Sequence, residues 1–535
     1  MLTRERSNKP TMLDAENLKK KLDYLDNFEL REPVILIYQP PPMVITLEPG
    51  MGYHELSEEF KQKIYETSRN GISLMLSQCD DEIRRRRKRG VFHNEHLETK
   101  EVASWCGEVK YRRRAYLDQE GNNRYLCDEL LDLDKGQRVS LNILLRALTY
   151  AGIMSYGKVK ELIECWTGLK RSPETYRRWV LRIGEYIKSQ RKKKCAQIFE
   201  NPSYHSEDYG KNPDFLFLEA DGCHIYMRIP PSLEEEIQKE TARGRRRKSQ
   251  KASSKKEVRL GLWYEGKRPR RGTEGNGKFE VTGKTYFGGM MDVEEFWETA
   301  AMTGLERYGL GPLTRIFGGG DGANWIGPHF ENFQGSLFML CRYHWKRDIF
   351  RVFPEESGME LVVYVESNNK DLVNDFIDKK LKECTKENSK KKILDLKKYL
   401  LNQWDFIQNY RVFTEQLNEL DPSLSRMGVI EGHIYQVLYL RFESRGGYWS
   451  SDGLDALLHV LMAGLNGNLA QLIRASGWEA RDKDLILLQK KQILNNLSVK
   501  ETPFVHGTFP VLKRPVRPFN DFLKRIAHPE REKAA

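Results

Sequence analysis

The sequence predicts an α/β protein built around a mixed sheet, on three features of its second half. Three apolar runs bounded by turn residues, FLFLEADGCHIYMRI, VRLGLWYEG and KTYFGGM, follow one another as antiparallel-looking strands. Helix and strand patterns then alternate: VEEFWETAAMTGLERYG, the strand-like LTRIFGGGDG, a helix around Trp325 to Phe333, and SLFMLCRYHWKRDIF as a strand running into a helix. A highly charged helical stretch from about Glu366 to Asp421, with Leu394, Leu396, Tyr399, Leu400 and Trp404 on its apolar face, interrupts this pattern before MGVIEGHIYQVLYLRFESRGGYW resumes it.

In chain order the expected units are an N-terminal arm and helix (1–78), a small basic β unit (79–135), a helix-turn-helix domain (136–212), a first part of the core (213–365), a helical insertion (366–424), a second part of the core (425–496) and an extended tail (497–535). A length of 535 residues at roughly 150 per domain agrees with several units, each able to bury a core. The eight cysteines are scattered without a CxxC pair, which excludes a disulfide scaffold or a zinc ribbon. No apolar run approaches the ~20 residues that cross a bilayer, so the expectation is a soluble, cytoplasmic protein with no membrane partner.

The β unit is expected from the alternation in WCGEVKYRRRAYLDQEGNN, with Val109, Tyr111 and Tyr116 inward and the arginines on a strand face. In GKVKELIECWTGLKRSPETYRRWVLRI, Val159, Leu162, Ile163 and Trp166 form one helical stripe and Tyr176, Trp179, Val180 and Ile183 a second, with Ser172 as N-cap and Pro173 at the first helical position. Arg177, Arg178 and Arg182 fall off the second stripe, where a helix-turn-helix needs its basic recognition helix; an ordinary helical hairpin with a solvated basic face is the alternative.

Asp221 in LEADG and Asp321 in GGGDG lie in or at the end of apolar strands, and Glu431 in IEGH near the start of a helix. A carboxylate among apolar residues needs a partner such as a cation, and three from different elements suit two hard divalent ions acting on a phosphodiester. Asp-Gly turns and a first-turn helix acid are the structural alternatives.

LFLEADGCH, GGGDGANWI, CRYHWKRDI and EGHIYQVLYLRFESRGGYWSSDG, in that order, resemble the bacterial DDE transposases of the ISLre type, insertion-sequence enzymes distantly related to the Mutator group. The resemblance extends over about residues 100 to 480, including GEVKYRRRAY and SPETYRRWV. It implies a ribonuclease H-like mixed sheet with a helical insertion, with Asp221, Asp321 and Glu431 as catalytic carboxylates holding two Mg²⁺ or Mn²⁺ ions. It also implies double-stranded DNA as partner, both terminal inverted repeats and target, and a homodimer or higher homo-oligomer. Cys341 and His344 match a Cys-x-x-His element of Mutator-like enzymes; a zinc pair, or a histidine that contacts DNA or orients a carboxylate, are both open. His433 is an accessory candidate, either touching the scissile phosphate or capping its helix. The family's arginine-containing run after the glutamate is replaced here by LRFESRGGYW, where Arg441 and Arg445 fill comparable places.

Residues 239–271 carry 14 Lys+Arg against three Glu, a net of +11 in a chain whose 88 Lys+Arg and 76 Asp+Glu leave only +12. The surplus is therefore local, following Asp221 closely, with Arg245, Arg246, Arg247 and Lys248 as the densest part. This predicts a flexible phosphate-binding loop with steep salt dependence, the alternative being a solvated charge run. Rival functions are a ribonuclease H-like nuclease without strand transfer and an inactive DNA-binding regulator.

Overall fold

The computed structural model describes residues 36, 38–46, 48–87, 90–131, 133, 138–200, 213–228, 254–269, 279–311, 313–420, 427–443 and 447–477. Most of the expected N-terminal arm, the C-terminal tail, Arg445, and Arg245, Arg246, Arg247 and Lys248 lie outside the described residues. Two compact units divide the chain, residues 1–183 with 467–508 and residues 184–466 with 509–535.

In the first unit, helix α1 (Tyr53–Arg86) absorbs the start of the RRRRKR run: Arg84, Arg85 and Arg86 form its last turn, where the helix dipole favours cations. Strands β1 (His93–Ser104) and β2 (Gly107–Leu117) pair antiparallel, and the short β3 (Asn123–Arg124) pairs with β2 before helix α2 (Leu126–Leu130). Val109, Tyr111 and Tyr116 are buried as expected, but the arginines do not make one basic face. Successive strand residues point to opposite sides. Arg112 is exposed, whereas Arg113 is buried against Asp128 and Arg114 pairs with Asp80 and Asp81 at 2.6 and 2.7 Å.

Helices α3 (Leu141–Ala151), α4 (Tyr156–Thr167) and α5 (Pro173–Glu200) follow. The Ser155 hydroxyl accepts from Lys158 N–H to cap α4, Gly168 ends it at φ 71°, and the Ser172 hydroxyl accepts from Thr175 N–H at the start of α5. Val159, Ile163, Tyr176, Val180 and Ile183 are buried as expected, but Trp166 is partly exposed, edge-on to Tyr150 and beneath Arg146. α5 runs on for 28 residues, through the division between the units, and its last turns (Cys195, Ile198, Phe199) join the core of the second.

That second unit holds a five-stranded mixed sheet in the order β10-β9-β4-β5-β8, formed by β4 (Phe215–Met227), β5 (Ser254–Tyr264), β8 (Thr285–Gly289), β9 (Arg315–Gly320) and β10 (Ser336–Leu340). β4, β9 and β10 run parallel, and β5 is antiparallel to both β4 and β8. A separate hairpin of β6 (Gly266–Pro269) and β7 (Phe279–Thr282), whose first strand lies in the basic run, was not expected. Lys255, Lys256 and Arg259 of the same run lie on β5, so the charge surplus is not all loop.

Both faces of the sheet are covered, which is why its strands read as nearly continuous apolar runs. Leu216, Leu218 and Ala220 of β4 pack with Trp263 against helix α6 (Val293–Tyr308) and the end of α5. On the other face Phe217 stacks on Tyr264 at 4.9 Å, and Phe413 meets Phe317 edge-on at 5.2 Å. The GGG of β9 serves packing, because a Cβ at Gly318 would come within 2.2 Å of the Phe330 ring. Phe330 belongs to a six-residue 3₁₀ turn, Gly327–Asn332, where a longer helix was expected; Pro328 in its first turn removes an N–H donor.

Helices α7 (Arg342–Val352), α8 (Glu355–Glu366), α9 (Lys370–Glu383), α10 (Glu387–Asn402) and α11 (Trp404–Leu420) share a core of their own. That core includes Trp345, Ile349, Phe353 and Leu361, so the helical module begins well before Glu366. Helix α12 (Ile430–Ile434) passes into a π-helix (Tyr435–Glu443), and α13 (Ser451–Leu465) completes the unit. Gly184 of α5 lets Ala456 of α13 approach closely, since a Cβ there would meet the Ala456 carbonyl oxygen at 2.3 Å.

Candidate active site

The three expected carboxylates come from three elements that meet at one end of the sheet. Glu219 of β4 is the last residue in register with β9, opposite Gly319; Asp221 lies two residues further along β4, and Asp321 directly follows the end of β9. β10 ends at this level too, with the Cys341 N–H donating to the Gly320 carbonyl at 2.8 Å. The carboxyl ends of parallel strands are where α/β sheets open into ligand crevices. Glu431, in the first turn of α12 and after the helical module in the chain, is close enough to act on Asp221.

Electrostatics tie the group together. Asp221 is 8% exposed, and its carboxyl is pushed up to about 7, first by burial and then by Asp321 and, less strongly, Glu431; the Gly222 N–H and Arg347 pull the other way. It accepts a hydrogen bond from the adjacent Gly222 N–H at 2.7 Å. Asp321 accepts from Ala323 N–H at 2.9 Å, so the turn role anticipated for it coexists with its position beside Asp221.

α7 supplies two more groups. His344 is buried, its Nε2 is 3.6 Å from Glu431 Oε2, and its Nδ1 has no hydrogen-bond partner. Burial lowers its pKa, with Glu431 acting in the opposite direction, so the imidazole is neutral at pH 7. Burial raises the Cys341 thiol, which keeps it protonated. Among the described residues, no three His, Cys, Asp or Glu side chains are gathered tightly enough to hold a metal ion, so a zinc pair at Cys341 and His344 gains no third ligand. The oxygen donors of Asp221, Asp321 and Glu431 are nevertheless of the kind that hard divalent cations take, and a buried carboxyl beside two like charges is where a cation would relieve repulsion.

His433 is hydrogen-bonded to Tyr286. Two residues along an α-helix is a turn of about 200°, which carries it to the side opposite Glu431. Its Nδ1 lies 2.8 Å from the Tyr286 hydroxyl, its ring sits edge-on to that tyrosine, and burial pushes its pKa down to about 4. It therefore neither caps its helix nor carries charge for a phosphate. Arg441 is buried with its guanidinium over Trp449. In the first unit, Arg177 is paired with Glu174 at 2.7 Å, Arg178 is exposed and Arg182 is half-buried.

Two residues of the site escaped the sequence reading. Arg347 lies one turn beyond His344 on α7, close enough to Asp221 to favour its charged form. Glu219 is 2% exposed, with both carboxylate oxygens accepting hydrogen bonds: Oε1 from the Tyr264 hydroxyl and Gly428 N–H, Oε2 from the Val429 and Ile430 N–H groups. The available signal was its spacing, because residues two apart on a strand share a face and LEADG therefore offers Glu219 beside Asp221.

Among the described residues no single helix is long and apolar enough to cross a membrane. Similar proteins include a UPF0236 protein of Caldanaerobacter subterraneus subsp. tengcongensis, whose name joins eleven locus designations; it is 24% identical over 428 residues, 79% of each chain. Another is the UPF0236 protein in vanSb 3'region of Streptococcus gallolyticus, 23% identical over 422 residues, 77% of this chain and 83% of its own. Residues 46–482 match the family model described as Uncharacterised protein family (UPF0236), and the chain belongs to that family.

Proposed function

We propose that the chain is the transposase of a bacterial insertion sequence, cutting and joining DNA with Asp221, Asp321 and Glu431. The observation that carries this reading is the placing of buried Asp221 on β4 beside the end of the neighbouring parallel strand β9, which Asp321 follows, with Asp321 and Glu431 both close enough to help raise Asp221 to about 7. The sheet order supports a ribonuclease H-like core: counted along the chain, its strands lie fifth, fourth, first, second, third, with the second antiparallel to the first. A first acid on the first strand, a second after the fourth, and a third on a late helix beyond a helical module match the order that the resemblance to DDE transposases implies. The relative named by eleven loci adds support, since repetition through one genome is what a self-copying element leaves behind.

Asp221, Asp321 and Glu431 would hold two Mg²⁺ or Mn²⁺ ions, whose chemistry here is to neutralise charge developing on the attacking and leaving oxygens. The protein's own part is positioning. Arg347 offers a guanidinium beside Asp221 for a phosphate, and His344 stands next to Glu431, with Nε2 3.6 Å from Oε2. In the first step water attacks the phosphodiester at an element end, the P–O3′ bond breaks, and a 3′-hydroxyl and a 5′-phosphate result. In the second step that 3′-hydroxyl attacks a target phosphodiester in line, forming one P–O bond as another breaks.

Helices α4 and α5, with Arg178, Arg182 and Arg177, act as the helix-turn-helix that reads terminal inverted repeats. The basic residues 239–271, which follow Asp221 in the chain, would bind phosphates. Two ends must be joined, which calls for a homodimer or larger homo-oligomer. The test is a Mg²⁺ or Mn²⁺ cleavage and joining assay on end-containing DNA with Asp221→Ala, Asp321→Ala and Glu431→Ala. Variants that cut as well as the parent overturn the site, and cleavage without joined products points to a nuclease instead.

A further inference from the structure

We propose that Glu219 is a positioning residue, tying the helix that carries Glu431 to the strand that carries Asp221 so that the two catalytic carboxylates keep a fixed separation. The inference rests on the catalytic reading above for its consequence, but the tie itself stands on geometry alone.

The first turn of any helix leaves N–H groups without partners, and a polar N-cap side chain ordinarily accepts from them. The residue at that position of α12 is Val429, whose side chain can accept nothing. Glu219 supplies the missing acceptor from another element: Gly428 N–H donates at 3.0 Å, Val429 N–H at 2.9 Å and Ile430 N–H at 3.1 Å. The Tyr264 hydroxyl of the neighbouring β5 adds a fourth donor at 2.6 Å and fixes the carboxylate from the sheet side. A negative charge at a helix amino end is also favoured by the dipole.

Gly319 of β9 leaves room for the side chain to cross, since a Cβ there would meet Glu219 Cγ at 3.2 Å. Glu219 and Asp221 share a face of β4, and Ile430 is bonded to the one while Glu431 follows next in the chain and is felt by the other. With four donors satisfied, Glu219 is a poor metal ligand itself. Its role is to act through Glu431.

Every group facing the Glu219 carboxylate is a donor, so glutamine is not a neutral replacement. The Tyr264 hydroxyl can rotate to accept from a glutamine NH₂, but the Gly428 N–H cannot. The experiment uses the full-length protein with Glu219→Gln, and Tyr264→Phe as a milder variant in case the first folds poorly. Hydrogen exchange of the amides of residues 428–430 should accelerate at least tenfold in Glu219→Gln while the β4–β5 ladder stays protected. Mn²⁺ binding by titration calorimetry should weaken about tenfold, and cleavage turnover should fall by a similar factor with affinity for end DNA unchanged. Tyr264→Phe should move the same readouts in the same direction by a smaller factor.

Unchanged exchange at 428–430 in Glu219→Gln overturns the tie. Faster exchange with unaltered Mn²⁺ binding and turnover overturns the positioning role. If the parent neither binds Mn²⁺ nor cuts DNA, the transposase reading falls by itself and the exchange measurement alone decides the tie.

Discussion

Asp128 on helix α2 of the first unit and Asp221 on strand β4 of the second are both buried carboxylates, and the protein treats them in opposite ways. Asp128 is 1% exposed and surrounded by partners: Lys100 at 2.9 Å, the Tyr111 hydroxyl at 2.7 Å, and Arg113. Asp221, hardly more exposed, receives the N–H of its own neighbour and faces two further carboxylates. A charge removed from water must be compensated by partners or shift its titration. At Asp128 compensation is complete and nothing remains to bind. At Asp221 it is deferred, which is the condition under which the proposed cation would relieve the repulsion.

The contrast can be broken most sharply by removing each acid. Asp221→Ala, Asp321→Ala or Glu431→Ala should each lower the rate of end cleavage by at least ~10³-fold, about 4 kcal/mol of transition-state stabilisation, while leaving a folded protein. A circular dichroism melt beside the cleavage assay separates the two effects. Asp128→Ala should do the reverse. It strands Lys100 and Arg113 as buried cations, so destabilisation of about 3–5 kcal/mol is expected in denaturant unfolding. If Asp128→Ala were stable but catalytically dead, the assignment of the two acids would be inverted.

How far the sequence reached follows the same line. Strand runs such as FLFLEADGCHIYM and RIFGGG were legible because both faces of the sheet are covered, and Asp221 and Asp321 stood out as charges inside or ending apolar text. Glu431 was legible mainly through resemblance, since an acid in a first helical turn is ordinary. The neutralisation of Arg113 and Arg114 was hidden, because it depends on Asp128, Asp80 and Asp81 brought in from other elements. Glu219 was hidden for the same reason: its partners are backbone groups 209 to 211 residues away. The setting of His433 was not legible, because two residues along a helix turn it away from Glu431 and towards Tyr286, a partner 147 residues away in the chain.

A smaller effect tests the electrostatic half of the comparison. In the folded protein the Asp221 carboxyl is pushed up to about 7 from its ordinary 3.8, so between those values the folded state holds the proton longer than the unfolded one. Stability contributed by this group is therefore highest at low pH, declines as pH rises through that window and stays reduced above it. The full cost is at most about 4 kcal/mol, less after relaxation. Asp221→Asn should accordingly melt higher than the parent at pH 8 and match it near pH 4. Mg²⁺ should stabilise the parent at pH 8 and the variant much less, by up to about 2.7 kcal/mol at a hundredfold excess over Kd. Equal pH dependence in the two proteins would mean that Asp221 is compensated after all.

The smallest effect expected is at Tyr286, and it decides on which side of the line His433 falls. With its pKa pushed down to about 4, His433 is neutral throughout the working range, and the 2.8 Å contact with Tyr286 is an ordinary hydrogen bond. Tyr286→Phe leaves the imidazole Nδ1 without that partner in a largely buried setting, which costs about 1 kcal/mol and lowers the melting temperature by a few degrees. Cleavage should stay within about threefold of the parent, because His433 points away from Glu431. A tenfold loss of turnover at unchanged stability would show that the Tyr286–His433 pair reaches the reacting phosphate. His433 would then join Asp221 among the groups left unsatisfied for function instead of Asp128 among those satisfied for structure.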